Sequence, residues 1–156
     1  MILPLTVILA EFLRTITPFG RSIYFSTKVS MNTNIKRILI VDDEEVILFG
    51  YKQVLSEPWL VVDTAGTVNE AKELLGANRY AASILDLRLS NSIDLEGLDL
   101  ITFVKEAQKD CRIIVVTAYG DEPTMRKTLD LGADFFYEKP VDPEEIKKTL
   151  AGMGIA

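Results

Sequence analysis

From position 35 onward, short apolar runs alternate with segments whose apolar residues recur at helical spacing. The runs predict strands at Ile38–Val41, Leu60–Val62, Ala81–Leu85, Ile113–Val116 and Ala133–Tyr137. The helical segments are Glu44–Ser56, Thr67–Asn78, Leu98–Lys109, Asp121–Leu131 and Pro143–Ala151. Strict alternation of strand and helix predicts an α/β protein with a doubly wound, five-stranded parallel sheet covered by helices on both faces.

Residues 1–34 do not follow this pattern. Met1–Ala10 is nearly all apolar, but a membrane-spanning helix needs about 20 such residues, so no transmembrane segment is expected. Three interpretations stay open: a functional extension, a poorly ordered tail, or a stretch upstream of a true start at Met31. We favour the last and predict a leader over 1–34 followed by one folded domain over 35–156.

The amino-acid composition limits the kinds of functional site that the chain can form. The 156 residues include one cysteine and no histidine, which excludes a disulfide framework and the usual zinc sites. The net charge is −6 and the isoelectric point near 4.7, which argues against direct binding of nucleic acid. Carboxylate oxygens remain as the available ligands, and they favour hard cations such as Mg²⁺.

Polar residues gather where the predicted strands end. Asp42 and Asp43 follow the first strand, Asp86 the third, Thr117 ends the fourth and Lys139 follows the fifth. Ligands of open parallel sheets bind beyond these carboxyl ends, so the five residues are expected to share one pocket. Clustered carboxylates repel unless a cation is present, which predicts Mg²⁺. A metal ion, an ammonium and a hydroxyl suit a phosphoryl group, with Asp86 as the nucleophile.

The segments Leu39–Glu44, Leu85–Leu89, Val116–Gly120 and Gly132–Asp134, followed by Glu138-Lys139-Pro140, resemble the receiver domain of two-component response regulators. The likeness covers about residues 35–151. Its spacings also agree, with 43 residues from Asp43 to Asp86, 31 from there to Thr117 and 22 from there to Lys139. The resemblance implies a flavodoxin-like sheet with strand order 2-1-3-4-5.

The resemblance also implies roles for individual residues. Asp86 would be the phosphoacceptor. Asp42 and Asp43 would hold Mg²⁺ together with Asp86 and the backbone carbonyl of Arg88.

Lys139 would pair with the phosphoryl group. Thr117 would swing toward that group as part of the switch, and Phe136 would turn inward into the space it leaves.

By the same resemblance, the protein would act in the cytoplasm. Its phosphoryl group would come from a sensor histidine kinase or a histidine phosphotransfer protein. We expect no output domain after the predicted receiver domain, so the expected output is contact with a downstream effector protein, without direct binding of nucleic acid. The protein would assist its own phosphorylation and dephosphorylation and would not be a turnover enzyme. The alternative is a phosphorylation-independent interaction module with the same fold.

Three features depart from the family pattern. Ser90 stands where proline is usual, and the loop from Asp86 to Gly97 is longer than usual. Arg88 and Tyr119 flank the predicted site, where smaller or acidic residues also occur in relatives. We expect these two side chains to restrict access of the water molecule that would hydrolyse the phosphoryl group.

Overall fold

Five strands in the described part of the chain form one parallel sheet. They are β1 (Lys36–Val41), β2 (Leu60–Ala65), β3 (Ala82–Leu85), β4 (Arg112–Thr117) and β5 (Phe135–Glu138). Neighbouring strands pair in parallel in the order β2-β1-β3-β4-β5. The predicted fold class and strand order are therefore confirmed in this computed structural model, which describes residues 35–89, 96–118 and 120–156. The predictions for residues 1–34 and for Tyr119 lie outside the described residues.

Within these described ranges, five helices connect or follow the strands. They are α1 (Glu45–Leu55), α2 (Val68–Ala77), α3 (Glu96–Ala107), α4 (Glu122–Asp130) and α5 (Pro143–Gly152). Helix α2 begins after Thr67, whose hydroxyl accepts a hydrogen bond of 3.2 Å from the amide of Glu70. The backbone amide of Gly66 donates a hydrogen bond of 2.8 Å to the Glu70 carboxylate, so the Glu70 side chain also fixes the residue before the N-cap Thr67. In the described part of the chain, no helix has the length and apolar character to cross a membrane.

The sheet is buried on both faces. Alternate residues of β1, β3 and β4 point to opposite sides, which is why these strands read as continuous apolar runs. One core cluster joins the sheet to α2 and α3 and includes Leu39, Val41, Leu85, Ile113, Val115, Ala71, Leu75, Leu100, Ile101 and Val104. The other joins it to α1 and α5 and includes Ile38, Ile40, Ile84, Ile114, Val116, Tyr51, Leu55, Ile146 and Leu150.

Strand β2 continues three residues beyond the predicted Leu60–Val62. The polar Asp63 interrupts the apolar run, but its carboxylate is bound within the fold. It accepts hydrogen bonds from Arg37 at 2.6 Å and from the hydroxyl of Tyr80 at 2.8 Å. Because these bonds replace its contacts with water, a carboxylate fits inside the strand.

Candidate functional site

Three carboxylates meet at the carboxyl edge of the sheet. Asp42 follows β1 and donates its backbone amide to Ala65 at 3.1 Å, and Asp86 follows β3 and donates its amide to Val41 at 2.9 Å. Because β1 and β3 are neighbours, the side chains of Asp42, Asp43 and Asp86 each place an oxygen within 4.8 Å of the others. Asp42 and Asp86 are buried, and Asp43 is exposed.

Lys139 completes this cluster from the far side of β4. Its backbone amide donates to the carbonyl of Thr117 at 2.8 Å, which fixes the residue at the end of β5. Its ammonium nitrogen then lies 2.7 Å from Oδ2 of Asp42 and 2.7 Å from Oδ2 of Asp86. A third carboxylate, that of Glu44, lies 3.8 Å away at the exposed rim. Four of the five residues predicted to share a pocket thus meet through their side chains.

Burial and the neighbouring charges shift the pKa values of Asp42 and Lys139 in opposite directions. Burial raises the pKa of Asp42, although hydrogen bonds from Lys139 and from the amide of Glu44 favour its ionised form. Burial alone would lower the pKa of Lys139, but its hydrogen bonds and attraction to Asp42 and Asp86 raise it. The ammonium therefore stays charged at neutral pH.

One ammonium faces more carboxylates than it can neutralise. Asp42, Asp43 and Asp86 offer only hard oxygen ligands, which suit Mg²⁺ better than zinc or copper. A divalent cation would relieve the repulsion that remains among them. The donor set and its charge therefore fit the predicted magnesium ion.

The response regulator receiver domain family matches residues 38–151, which include this whole cluster. The chain belongs to that family. The photosynthetic apparatus regulatory protein RegA of Cereibacter sphaeroides is 34% identical over 119 residues, which is 76% of this chain and 63% of RegA. The chain thus spans less than two thirds of the length of this curated relative.

Solved receiver structures share the fold. A CheY-like receiver domain protein of Methanospirillum hungatei superposes with a TM-score of 0.70 at 28% identity, covering 76% of this chain and 93% of the other. A response regulator of Burkholderia pseudomallei superposes with a TM-score of 0.66 at 32% identity, covering 76% of this chain and 70% of that one. It was solved with a phosphorylated aspartic acid, calcium ion and citrate. Receiver domains bind Mg²⁺ at an acidic pocket, interact with histidine kinases and effectors, and are typically cytoplasmic.

The other predicted site residues are Arg88, Thr117 and Phe136. The amide of Arg88 donates to Oδ1 of Asp86 at 3.1 Å, so the turn after β3 orients this carboxylate. Thr117 is fully buried at the end of β4, and Phe136 is half-buried on β5 against the core cluster of α2 and α3. The carbonyl of Arg88 as a metal ligand, and the switch roles of Thr117 and Phe136, stay predictions.

Two residues of the receiver domain were not singled out from the sequence as site residues. Glu44 reaches Lys139 from the rim, as described above. Gly97, in the first turn of α3, donates its amide to the carbonyl of Leu87 at 3.0 Å. A Cβ atom at position 97 would lie 2.5 Å from the carbonyl oxygen of Asp86 and 2.5 Å from Cα of Leu87. For Gly97, the only signal in the sequence was a glycine near the start of a predicted helix.

Proposed function

We propose that Asp86 accepts a phosphoryl group from a phosphohistidine of a sensor histidine kinase or a histidine phosphotransfer protein. The phosphorylated protein then signals through contact with a downstream effector protein. The observation that carries this proposal is the shared ammonium of Lys139, 2.7 Å from both Asp42 and Asp86, inside a cluster that fits Mg²⁺.

The reaction is an in-line transfer to a carboxylate. An oxygen of Asp86 attacks phosphorus, the bond from phosphorus to the donor's nitrogen breaks, and its electron pair stays on that nitrogen. The imidazole leaves uncharged because its second nitrogen carries a proton. Asp42, Asp43, Asp86 and the carbonyl of Arg88 would hold Mg²⁺, which would neutralise charge on the phosphoryl oxygens.

The residues of the chain orient and stabilise the acceptor. The amide of Arg88 and the ammonium of Lys139 bind different oxygens of Asp86, which holds the carboxylate plane fixed. When the phosphoryl group arrives, Lys139 transfers a hydrogen bond to one of its oxygens. The aspartyl phosphate carries about 1.5 to 2 negative charges where an ionised carboxylate carries one, and the added charge draws the hydroxyl of Thr117 inward. Phe136 then moves into the space that Thr117 leaves.

The test is intact mass after incubation with acetyl phosphate and MgCl₂. We expect the chain to gain the mass of one phosphoryl group, and EDTA to prevent the gain. Asp86→Asn should abolish it, whereas Asp99→Asn, at an exposed position on α3, should not. An unchanged mass of the unmodified sequence would refute the proposal and leave the phosphorylation-independent interaction module. A gain that persists in Asp86→Asn would refute Asp86 as the acceptor.

A further inference from the structure

The first turn of α3 packs against the backbone that carries Asp86. The amide of Gly97 donates a hydrogen bond of 3.0 Å to the carbonyl of Leu87. A Cβ atom at position 97 would lie 2.5 Å from the carbonyl oxygen of Asp86, 2.5 Å from Cα of Leu87 and 3.1 Å from the carbonyl carbon of Leu87. Gly97 therefore borders the two consecutive peptide groups that follow the proposed phosphoacceptor.

These two peptide groups orient the carboxylate of Asp86. The second of them contains the amide of Arg88, which donates to Oδ1 of Asp86 at 3.1 Å. The next peptide group begins with the carbonyl of Arg88, the predicted metal ligand. Lys139 binds the other carboxylate oxygen, Oδ2, at 2.7 Å. Because Lys139 fixes only one of the two oxygens, the rotation of the carboxylate depends on the turn that Gly97 borders.

Neither side of this contact has free space into which it could move. Gly97 and Leu87 are both buried. The following turn of α3 is anchored as well, since Leu100 and Ile101 are fully buried in the core cluster that joins α3 to the sheet. Protein interiors are close-packed, so a side chain added at position 97 would displace the turn after β3 as well as α3.

We propose that Gly97 is a positioning residue for the acceptor site. Its lack of a side chain lets α3 close on the turn after β3, and this contact sets the positions of the Asp86 carboxylate and the Arg88 carbonyl. The inference rests on the proposed function and assigns a residue that supports it. A misplacement of about 1 Å lowers the rate of a reaction by up to about a hundredfold. Loss of a group that orients metal ligands weakens metal binding about 10- to 100-fold.

The test compares Gly97→Ala with Asp134→Asn, under conditions in which circular dichroism shows both variants to be folded. Asp134 precedes β5, and its carboxylate accepts a hydrogen bond of 2.8 Å from the amide of Ile113, near the start of β4. Asp134→Asn therefore weakens the fold at the end of the strands opposite to Asp86. It controls for a loss of stability that leaves the acceptor site in place.

Two quantities are measured for each variant. One is the dissociation constant of Mg²⁺, by isothermal titration calorimetry without a phosphoryl donor. The other is the rate of phosphorylation by acetyl phosphate at saturating MgCl₂, by intact mass. For Gly97→Ala we expect at least about a tenfold increase in the dissociation constant, at least about a tenfold decrease in the rate, or both. Asp134→Asn should leave both quantities close to those of the unmodified chain.

The outcomes separate this inference from the proposed function. If the unmodified chain gains a phosphoryl group and Gly97→Ala matches Asp134→Asn in both quantities, the positioning role is overturned and the proposed function stands. If the unmodified chain gains no phosphoryl group, the proposed function is overturned, and the Mg²⁺ titration still decides whether Gly97 positions the carboxylate cluster.

A measurement on the unmodified chain covers the case in which Gly97→Ala does not fold. The backbone amide resonance of Gly97 should shift when MgCl₂ is added, because this amide is bound to the turn that orients Asp86. The amide resonance of Gly76, on α2, should stay in place. An unshifted Gly97 resonance would overturn the positioning role.

Discussion

Replacing Gly97 by alanine should destabilise the protein, although alanine is the better helix former. The new Cβ would lie 2.5 Å from backbone atoms of Asp86 and Leu87, where ordinary contacts begin at 3.4 Å. The first turn of α3 and the turn after β3 must therefore separate by about 0.9 Å. Overpacking of this kind costs about 1 to 3 kcal/mol, and weakening the Gly97–Leu87 hydrogen bond adds about 0.5 to 1.5 kcal/mol. The gain in helix propensity offsets about 1 kcal/mol. We expect a net loss of about 2 kcal/mol.

Urea unfolding followed by far-ultraviolet circular dichroism measures this loss. Gly76→Ala is the matched control, because a Cβ at Gly76 on α2 meets no other atom within 4 Å. That substitution should raise the free energy of unfolding by about 0.5 to 1 kcal/mol. The two glycine-to-alanine changes are thus expected to have opposite signs. Changes of the same sign, or an unaffected Gly97→Ala, would show that the close approach to the backbone of Asp86 does not constrain position 97.

Two further predictions concern charged groups. Lys139→Ala leaves two buried carboxylates without their ammonium, so it should lower the free energy of unfolding in EDTA by about 3 kcal/mol, and Mg²⁺ should recover part of the loss. Equal stability of variant and parent in EDTA would contradict this. Burial alone would raise the pKa of Asp134, but hydrogen bonds from the amide of Ile113 and from Arg112 lower it below its usual value. Its stabilisation is therefore complete above about pH 4 and is lost as the pH falls through the lowered pKa. Asp134→Asn should cost about 1.5 to 3 kcal/mol at pH 7 and less at about pH 3, as measured by urea unfolding; a gap that does not narrow in acid would refute the assignment.

The fold was predictable because its core strands have no polar face. Ile113–Val116 has four consecutive β-branched apolar residues, a pattern that favours a strand buried on both faces, and all four are buried. The meeting of Asp42, Asp86 and Lys139 was predictable for a related reason. Each lies at the end of a short strand, and parallel strands bring their carboxyl ends to one edge.

Contacts between distant segments were not predictable from local pattern. The continuation of β2 through Asp63 depends on partners from β1 and from the turn before β3, and neither is near it in sequence. The close approach of Gly97 to Asp86 depends on how tightly α3 returns to the sheet. Apolar periodicity reports which face is buried, but it does not report these distances.

The chain is anchored immediately before and shortly after positions 90–95. Leu89 is buried in the core, and Gly97 is bound to the carbonyl of Leu87. We therefore expect an insertion between these two anchors to leave the distances of Asp86 from Asp42 and Lys139 unchanged. The same anchoring would accommodate the longer connection that the sequence analysis expects between Asp86 and Gly97. It also makes the stretch a suitable place to graft foreign peptides, such as an affinity tag or a reporter epitope, into a working receiver.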